Sequence, residues 1–337
     1  INAVIAALQA AGVFHPGLGG QKLVLEKLFC QLCQFSLAPM TCVFVFDGPG
    51  RPSVKRGTKI VPRPQWLIQH VKTMITFFGY YFYDAPGEAE AELAQMNRHS
   101  EIDGIITEDS DVFVFGAQCV IRTSGPSVQN MSLIYTLQSI ETTDNVSLDT
   151  DGLFLCALLL GGDYDPIGIK RIGPAIARAL AAAGFGRDLV NILRSSKGPE
   201  CAQHLAMWRN ALREELRSNS SGRLDRCQPK LAMDIPDTFP VLDIASLYLD
   251  PLTSRSPGLV GHIPNPTLWQ PKELSLVEMA AFCAVQFSWN GDFLLKKLHN
   301  NVWPGVVFRL ISSVRADISI FHFVNKLLAL YSLQFGL

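Results

Sequence analysis

Between Gln21 and Phe35 the apolar residues Leu25, Leu28, Phe29, Leu32 and Phe35 recur at three and four, a period that predicts a helix with one buried face. The opening INAVIAALQAAG reads as a helix as well. TCVFVF, ending at Phe46, is too short and too rich in β-formers for a helix and is predicted to be a buried strand. Helices are then expected over Pro64 to Phe78 and Gly87 to Arg98, and strands at YYFY and DGIIT. VFVFG after the turn EDSD, Cys119 to Arg122, and Ser132 to Thr136 complete the strand candidates. Strands separated by helices predict an α/β fold, a mostly parallel sheet with helices on both faces.

From about Leu148 the pattern turns helical: Asp149 to Leu160, Pro174 to Ala183, Asp188 to Leu193 and Cys201 to Arg217. SNSSGRLDRCQPK, from Ser218, is polar and turn-rich and reads as a linker or loop. A last helical block starts near Leu274. In Ile318 to Leu337 the apolar residues Ile320, Val324, Leu327, Leu328 and Tyr331 keep helical spacing among polar ones, which favours a packed terminal helix over a membrane span. No membrane partner is expected.

Composition changes this picture little. A chain of 337 residues with 48% hydrophobic content can build a sizeable core, and a net charge of -1 gives no global case for a polyanionic partner. The eight cysteines are scattered, and Cys30 and Cys33 lack a second pair to complete a zinc site. Reduced core thiols suit the cytosol or nucleus.

Placement of the acids is more informative. Asp47 directly follows a strand, and Asp109 and Asp111 follow DGIIT within TEDSD; ligands of open α/β sheets bind at this edge. Glu88, Glu90 and Glu92 open a helix, where Glu88 and Glu92 share a face and Glu90 points away. Asp163 and Asp165 follow a strongly apolar helix in LLLGGDYDP. Singly, these acids are ordinary turn and helix-start chemistry. Asp109 and Asp111 repel each other unless a cation lies between them. Hard divalent cations with oxygen ligands explain all four clusters at once. A pair of ions about 4 Å apart would activate water and stabilise the leaving oxygen in phosphodiester cleavage.

No acid lies between Asp47 and Asp84, whereas Arg51, Lys55, Arg56, Lys59, Arg63 and Lys72 do, a bias suited to steering a polyanion toward metals. GIKRIGPAIARAL, from Gly168, reads as the hairpin of a helix-hairpin-helix element. Its helix start can receive a DNA phosphate, with Lys170, Arg171 and Arg178 adding charge around Ile172 and Gly173.

FVFDG, APGEAEAEL, TEDSDVFVFG and LLGGDYDPIGIKRIGP, in this order, closely resemble the XPG/flap-endonuclease superfamily. DGIITEDSDVFVFGAQCVIR and LLLGGDYDP look most like its fungal Holliday-junction resolvase branch. The resemblance covers Ile1 to about Leu193. It implies a metal-ligand set of Asp47, Glu88, Glu90, Asp109, Asp111 and Asp163, with Glu92 and Asp165 as supporting or surface acids. It likens Lys55 to the family's basic residue near the scissile phosphate, and the loop at Ile172 and Gly173 to the hairpin that holds potassium in relatives. It divides the chain into a nuclease core (1–147, with a short arch at 48–63 and an internal acidic region at about 79–165), a helical DNA-binding region (148–217), a linker (218–240) and a mostly helical remainder (241–337). Relatives carry a first strand ending in a metal-binding aspartate, and this sequence starts just after that place, so a chain lacking that strand is expected. Arg171 replaces a glycine common in the hairpin.

The expectation is therefore a nuclear, Mg2+-dependent endonuclease of DNA repair and recombination, in which Mn2+ can substitute. It would cut branched double-stranded DNA, Holliday junctions before 5′ flaps, as a transient dimer on four-way junctions. The short arch favours an open site over a cap threading a free end. The alternatives are a branched-DNA-binding pseudonuclease, because the first aspartate is absent, and a PIN-like ribonuclease, against which the duplex-binding hairpin argues.

Overall fold

Helix α1 (Leu18–Phe35) buries Val24, Leu25, Leu28, Phe29, Leu32 and Cys33, the stripe expected from the spacing. It belongs to a computed structural model that describes residues 18–38, 40–60, 65–123, 132–143, 146–259 and 263–314. The helices expected at residues 1–12 and 318–337, and Arg63, lie outside the described residues. After α1 come β1 (Val43–Phe46), β2 (Val54–Lys55), β3 (Thr58–Lys59), α2 (Gln65–Phe77), β4 (Tyr81–Asp84) and α3 (Ala89–Arg98). Then follow β5 (Ile105–Ile106), α4 (Asp111–Val114), β6 (Cys119–Thr123), β7 (Ser132–Thr136) and α5 (Leu137–Thr142). The rest is helical: α6 (Thr150–Leu160), α7 (Pro174–Ala182), α8 (Phe185–Ser195), α9 (Gly198–Ser218), α10 (Pro229–Asp234), α11 (Leu242–Leu249), α12 (Leu276–Phe287), α13 (Gly291–Asn301) and α14 (Trp303–Val314). No helix among the described residues is long and apolar enough to cross a membrane.

These elements fall into two compact units that interleave along the chain and do not coincide with the segments expected from the sequence. One takes the described residues of 1–44, 62–83 and 267–337, and centres on Phe29, whose ring makes edge contacts with Phe78, Phe287 and Trp289. The other takes 45–61 and 84–266 and holds all six candidate metal ligands. Its sheet joins β5 to β6 in parallel, Ile105 opposite Val120, and β6 to β7 antiparallel. Helix α6 runs through its core with Phe154, Leu155, Leu158 and Leu159 buried, because a helix apolar all round must be covered all round. Asp149 caps its start by accepting from the Gly152 amide at 2.8 Å, and Gly161, at φ +83°, ends it.

Two expectations are corrected here. VFVFG is not a strand: Asp111–Val114 forms a helical turn, because the Asp109 carboxylate accepts from the Asp111 amide at 2.9 Å and bends the chain just before it. That turn buries Val112, Phe113 and Phe115 in one cluster, and packing overrides β-propensity. Nor is 218–240 a free linker. The Glu215 carboxylate accepts from the Ser220 hydroxyl at 2.5 Å, the Ser221 hydroxyl at 2.6 Å and the Ser221 amide, while Asn219 brackets Leu224, which is buried. Helices α10 and α11 then dock Leu231, Ala232, Ala245 and Tyr248 in the core.

Burial pushes the Glu215 carboxyl upward, but the serine hydrogen bonds outweigh it and hold it below the usual range. Its contribution is thus present above the ordinary glutamate range and lost as pH falls through the lowered value. Glu215→Ala is expected to destabilise the chain by about 2 kcal/mol, since charged acceptors with several donors are worth roughly that much. Urea unfolding at neutral pH followed by circular dichroism checks it; an unchanged midpoint would mean the loop is held by other contacts.

Candidate active site

Asp47, one residue past β1, reaches the start of α3: its Oδ1 accepts from the Ala89 amide at 3.0 Å and its Oδ2 from Arg51 at 2.9 Å. The two segments meet through glycines. The Gly48 amide donates to the Gly87 carbonyl at 2.7 Å, and a Cβ on Gly48 would stand 1.7 Å from the Ala85 carbonyl oxygen. With Asp47 serving the helix N-terminus, Glu88 at the N-cap position makes no capping bond. Its buried carboxylate instead pairs with Lys55 and accepts from the Tyr164 hydroxyl.

The expected short arch forms a hairpin. β2 and β3 pair antiparallel, Lys55 opposite Thr58, and Arg56 and Gly57, both at positive φ (+51° and +70°), make the two-residue turn that suits twisted strands. This turn sends its cations inward. Lys55 lies 3.0 Å from Asp163 while also contacting Glu88, and the Arg56 side chain and amide reach the Asp163 carboxylate and carbonyl at 2.8 and 2.6 Å. Asp163 sits after the end of α6 in a tight loop closed by the Gly162 amide on the Asp165 carbonyl at 2.7 Å; Asp165 itself accepts from the Ile167 amide.

Electrostatics tie these groups together. Burial, then the Asp47 charge, pushes Glu90 up to about 7 against the opposing Lys55 charge. Burial, then Asp109 and Asp163, pushes Asp111 up to about 6. Asp163 goes the other way: burial raises it, but Lys55 and Arg56 outweigh that and hold it below the ordinary aspartate range. Burial opposes the charge on Lys55 too, and its bonds to Glu88 and Asp163 win and raise it. The six acids expected from the sequence thus lie in one neighbourhood, linked by direct pairing or mutual repulsion. Glu92 does not join them. It is fully buried and accepts from the Ser254 amide at 2.8 Å, holding the 251–256 segment beside α3.

Groups with raised carboxyl pKa add stability only when protonated. For Glu90 and Asp111 this contribution is complete below the ordinary carboxylate range and lost as pH rises through about 7 and about 6 respectively. In chelator, the melting temperature is therefore expected to fall between about pH 5 and about pH 8, and Mg2+ to flatten that slope. A metal-free melting temperature that climbs across this range would contradict the crowded carboxylates.

Among the described residues no three acid, histidine or cysteine side chains converge tightly enough to form a ready-made metal cage. Magnesium does not require one, since it keeps several waters and commonly takes one or two carboxylates plus substrate phosphate. The donor chemistry fits such ions: every candidate ligand is a hard oxygen, and Glu90 and Asp111 carry repulsion that an added cation would relieve.

The XPG I-region profile matches residues 79–163, the stretch that runs from β4 to Asp163 and contains five of the six acids. Over that stretch the chain is similar to the XPG family of nucleases. Mouse flap endonuclease GEN homolog 1 is 37% identical over 191 residues, which cover 49% of this chain and 20% of that protein; the chain thus spans about a fifth of that relative. A solved structure of the Holliday junction-resolving enzyme GEN1 with product DNA and Mg2+ matches with a TM-score of 0.67 at 28% identity, covering 87% of this chain and 67% of that one. Another, of the junction-resolving enzyme GEN-1 binding with potassium, gives 0.66 at 28% identity over 84% of this chain and 64% of that one.

The second element expected from the sequence to face DNA is the hairpin before α7. Gly173 caps the helix and Pro174 opens it, with open space around Gly173. Ile172 is buried and its amide serves the Ile169 carbonyl, so it shapes the hairpin and is not a free donor. Arg171 adopts φ +70°, the left-handed region glycine enters freely, and so keeps the backbone course of the expected glycine at a cost of about 1 kcal/mol. Its guanidinium is drawn to Asp234. Lys170 and Lys59 are exposed, Arg178 is half-buried, and Arg51 is engaged by Asp47. Lys72 lies on α2 over the Phe82 ring at 4.9 Å, in the other unit. Two tyrosines were missed from the sequence. Tyr164 was signalled by its place between Asp163 and Asp165, whereas Tyr248, at a ring-centroid distance of 4.6 Å from it, carried no local signal.

Proposed function

We propose that this chain is a structure-selective endonuclease that hydrolyses phosphodiester bonds in branched DNA, Holliday junctions before 5′ flaps. The observation that carries the reading is the convergence of Asp47, Glu88, Glu90, Asp109, Asp111 and Asp163, from separate segments, around the cations of one basic hairpin. These acids would hold two Mg2+, with Mn2+ able to substitute, and the ions would activate water and stabilise the leaving oxygen. Lys55, already at Glu88 and Asp163, would face the scissile phosphate. Arg51, Arg56 and Lys59 would flank the strand, while Lys170, Arg171, Arg178 and the Ile172–Gly173 hairpin, with a K+ ion as the resemblance implies, would hold duplex backbone without reading sequence. Residues 148–217 act as the duplex-binding region of the core. Opposed cuts in a four-way junction need two copies, assembled transiently on DNA. A repair and recombination role places the protein in the nucleus.

One observation favours a second reading, a branched-DNA-binding module without catalysis: Lys55 bridges Glu88 and Asp163, where a metal would otherwise balance them. Labelled four-way junction, 5′ flap and single-stranded RNA, each incubated with the chain and Mg2+, separate the two. Nicking of the junction ahead of the flap, with RNA intact, is expected. Binding in Ca2+ with no cutting in Mg2+ would select the binding module, and cleavage of the RNA alone would overturn both.

A further inference from the structure

Tyr248, on α11, is buried at 3% exposure, and its hydroxyl finds no acceptor for its proton among the described residues. Three aromatic rings fix its position: Tyr164, Phe115 and Phe154 lie 4.6, 5.9 and 6.5 Å away by ring centroid. The hydroxyl is thus aimed and cannot swing to water. It lies beside the acids: a Cβ placed on Gly162 would stand 2.4 Å from Tyr248 Oη and 3.9 Å from Asp111 Oδ2. The carboxylates of Asp111 and Asp163 and the amides of Asp163 and Tyr164 are the polar groups near it, and a phenol is protonated at neutral pH, hence a donor. An unmet buried donor costs stability, so its retention beside a charged site needs a reason.

We infer that Tyr248 is a positioning residue of the metal site, its hydroxyl donating to the Asp111 carboxylate from behind when that carboxylate turns to a divalent ion. The inference rests on the nuclease reading and adds a residue from α11, far outside the acidic motifs. Groups that bond to a metal ligand from behind fix its orientation, and losing one commonly weakens metal affinity by about ten- to a hundredfold.

Tyr248→Phe keeps the ring and removes only the oxygen. Three measurements decide: melting temperature in chelator, Mn2+ affinity of the DNA-free chain by electron paramagnetic resonance, and the Mg2+ dependence of nicking. The expected result is a melting temperature equal to or above that of the unaltered chain, Mn2+ affinity at least about tenfold weaker, and a nicking rate restored by excess Mg2+. Unchanged Mn2+ affinity overturns the inference while leaving the nuclease reading standing. A lowered chelator melting temperature overturns it too, because it would assign the hydroxyl a purely structural bond. An unaltered chain that binds no Mn2+ sinks the nuclease reading itself.

Discussion

Asp109→Ala is expected to lower Mg2+-dependent nicking of four-way DNA by about a thousandfold or more, because a metal ion supplies several kcal/mol of transition-state charge stabilisation and each 1.36 kcal/mol is tenfold. Asp109 also shapes its own turn through the Asp111 amide at 2.9 Å, so the alanine variant alone would confound charge with backbone. Asp109→Asn retains an acceptor for that amide and removes only the charge. Both variants should lose cutting, and both should bind junction DNA in Ca2+ within about threefold of the unaltered chain, since duplex affinity rests on phosphate contacts made by cations. Cutting by the asparagine variant within tenfold of normal would show that Asp109 holds no metal.

Lys55→Met has two expected effects of comparable size. Its ammonium lies between Glu88, 5% exposed, and Asp163, and removing it leaves Glu88 with only the Tyr164 hydroxyl and Asp163 with only Arg56 among the described residues. Breaking a buried pair from one side costs about 3 kcal/mol even with some allowance for the partial exposure of Lys55, and this loss should appear in chelator and shrink when Mg2+ is added. Nicking should fall about a hundredfold, the usual consequence of losing one fixed donor near developing charge. Acid unfolding carries the same information. Pairing depresses Asp163, so its stabilisation is present above the ordinary aspartate range and lost as pH falls through the lowered value; without Lys55 that loss begins at higher pH. A variant as stable as the parent in chelator would mean that the ammonium does not rest between the acids in solution.

Both predictions depend on residues whose importance was legible before any coordinates. Asp47 after VFVF, Asp109 and Asp111 after GIIT, and Asp163 after an uninterrupted apolar helix are readable because each acid ends an element whose period is written in its neighbours. The elements themselves followed: the stripe of α1, the acid-opened helix α3 and the strongly apolar α6 were all expected. What misled was likewise local. VFVF has strand composition, yet Asp109 turns the chain just before it and the core claims Val112 and Phe113. SNSSG looks solvated, yet Glu215 satisfies its hydroxyls and amide.

The sequence alone determined which acids end which elements, because hydrophobic period, caps and turns are properties of a few consecutive residues. Tertiary structure decided which side chains meet. Arg56 and Asp163 are 107 positions apart, and Glu92 finds the Ser254 amide 162 positions away. The inward turn of the basic hairpin, the removal of Glu92 from the site and the arrival of Tyr248 beside Asp111 all follow from such pairings. No local pattern encodes them, since they are fixed only when separate apolar faces close on one another and leave each buried charge to find its partner.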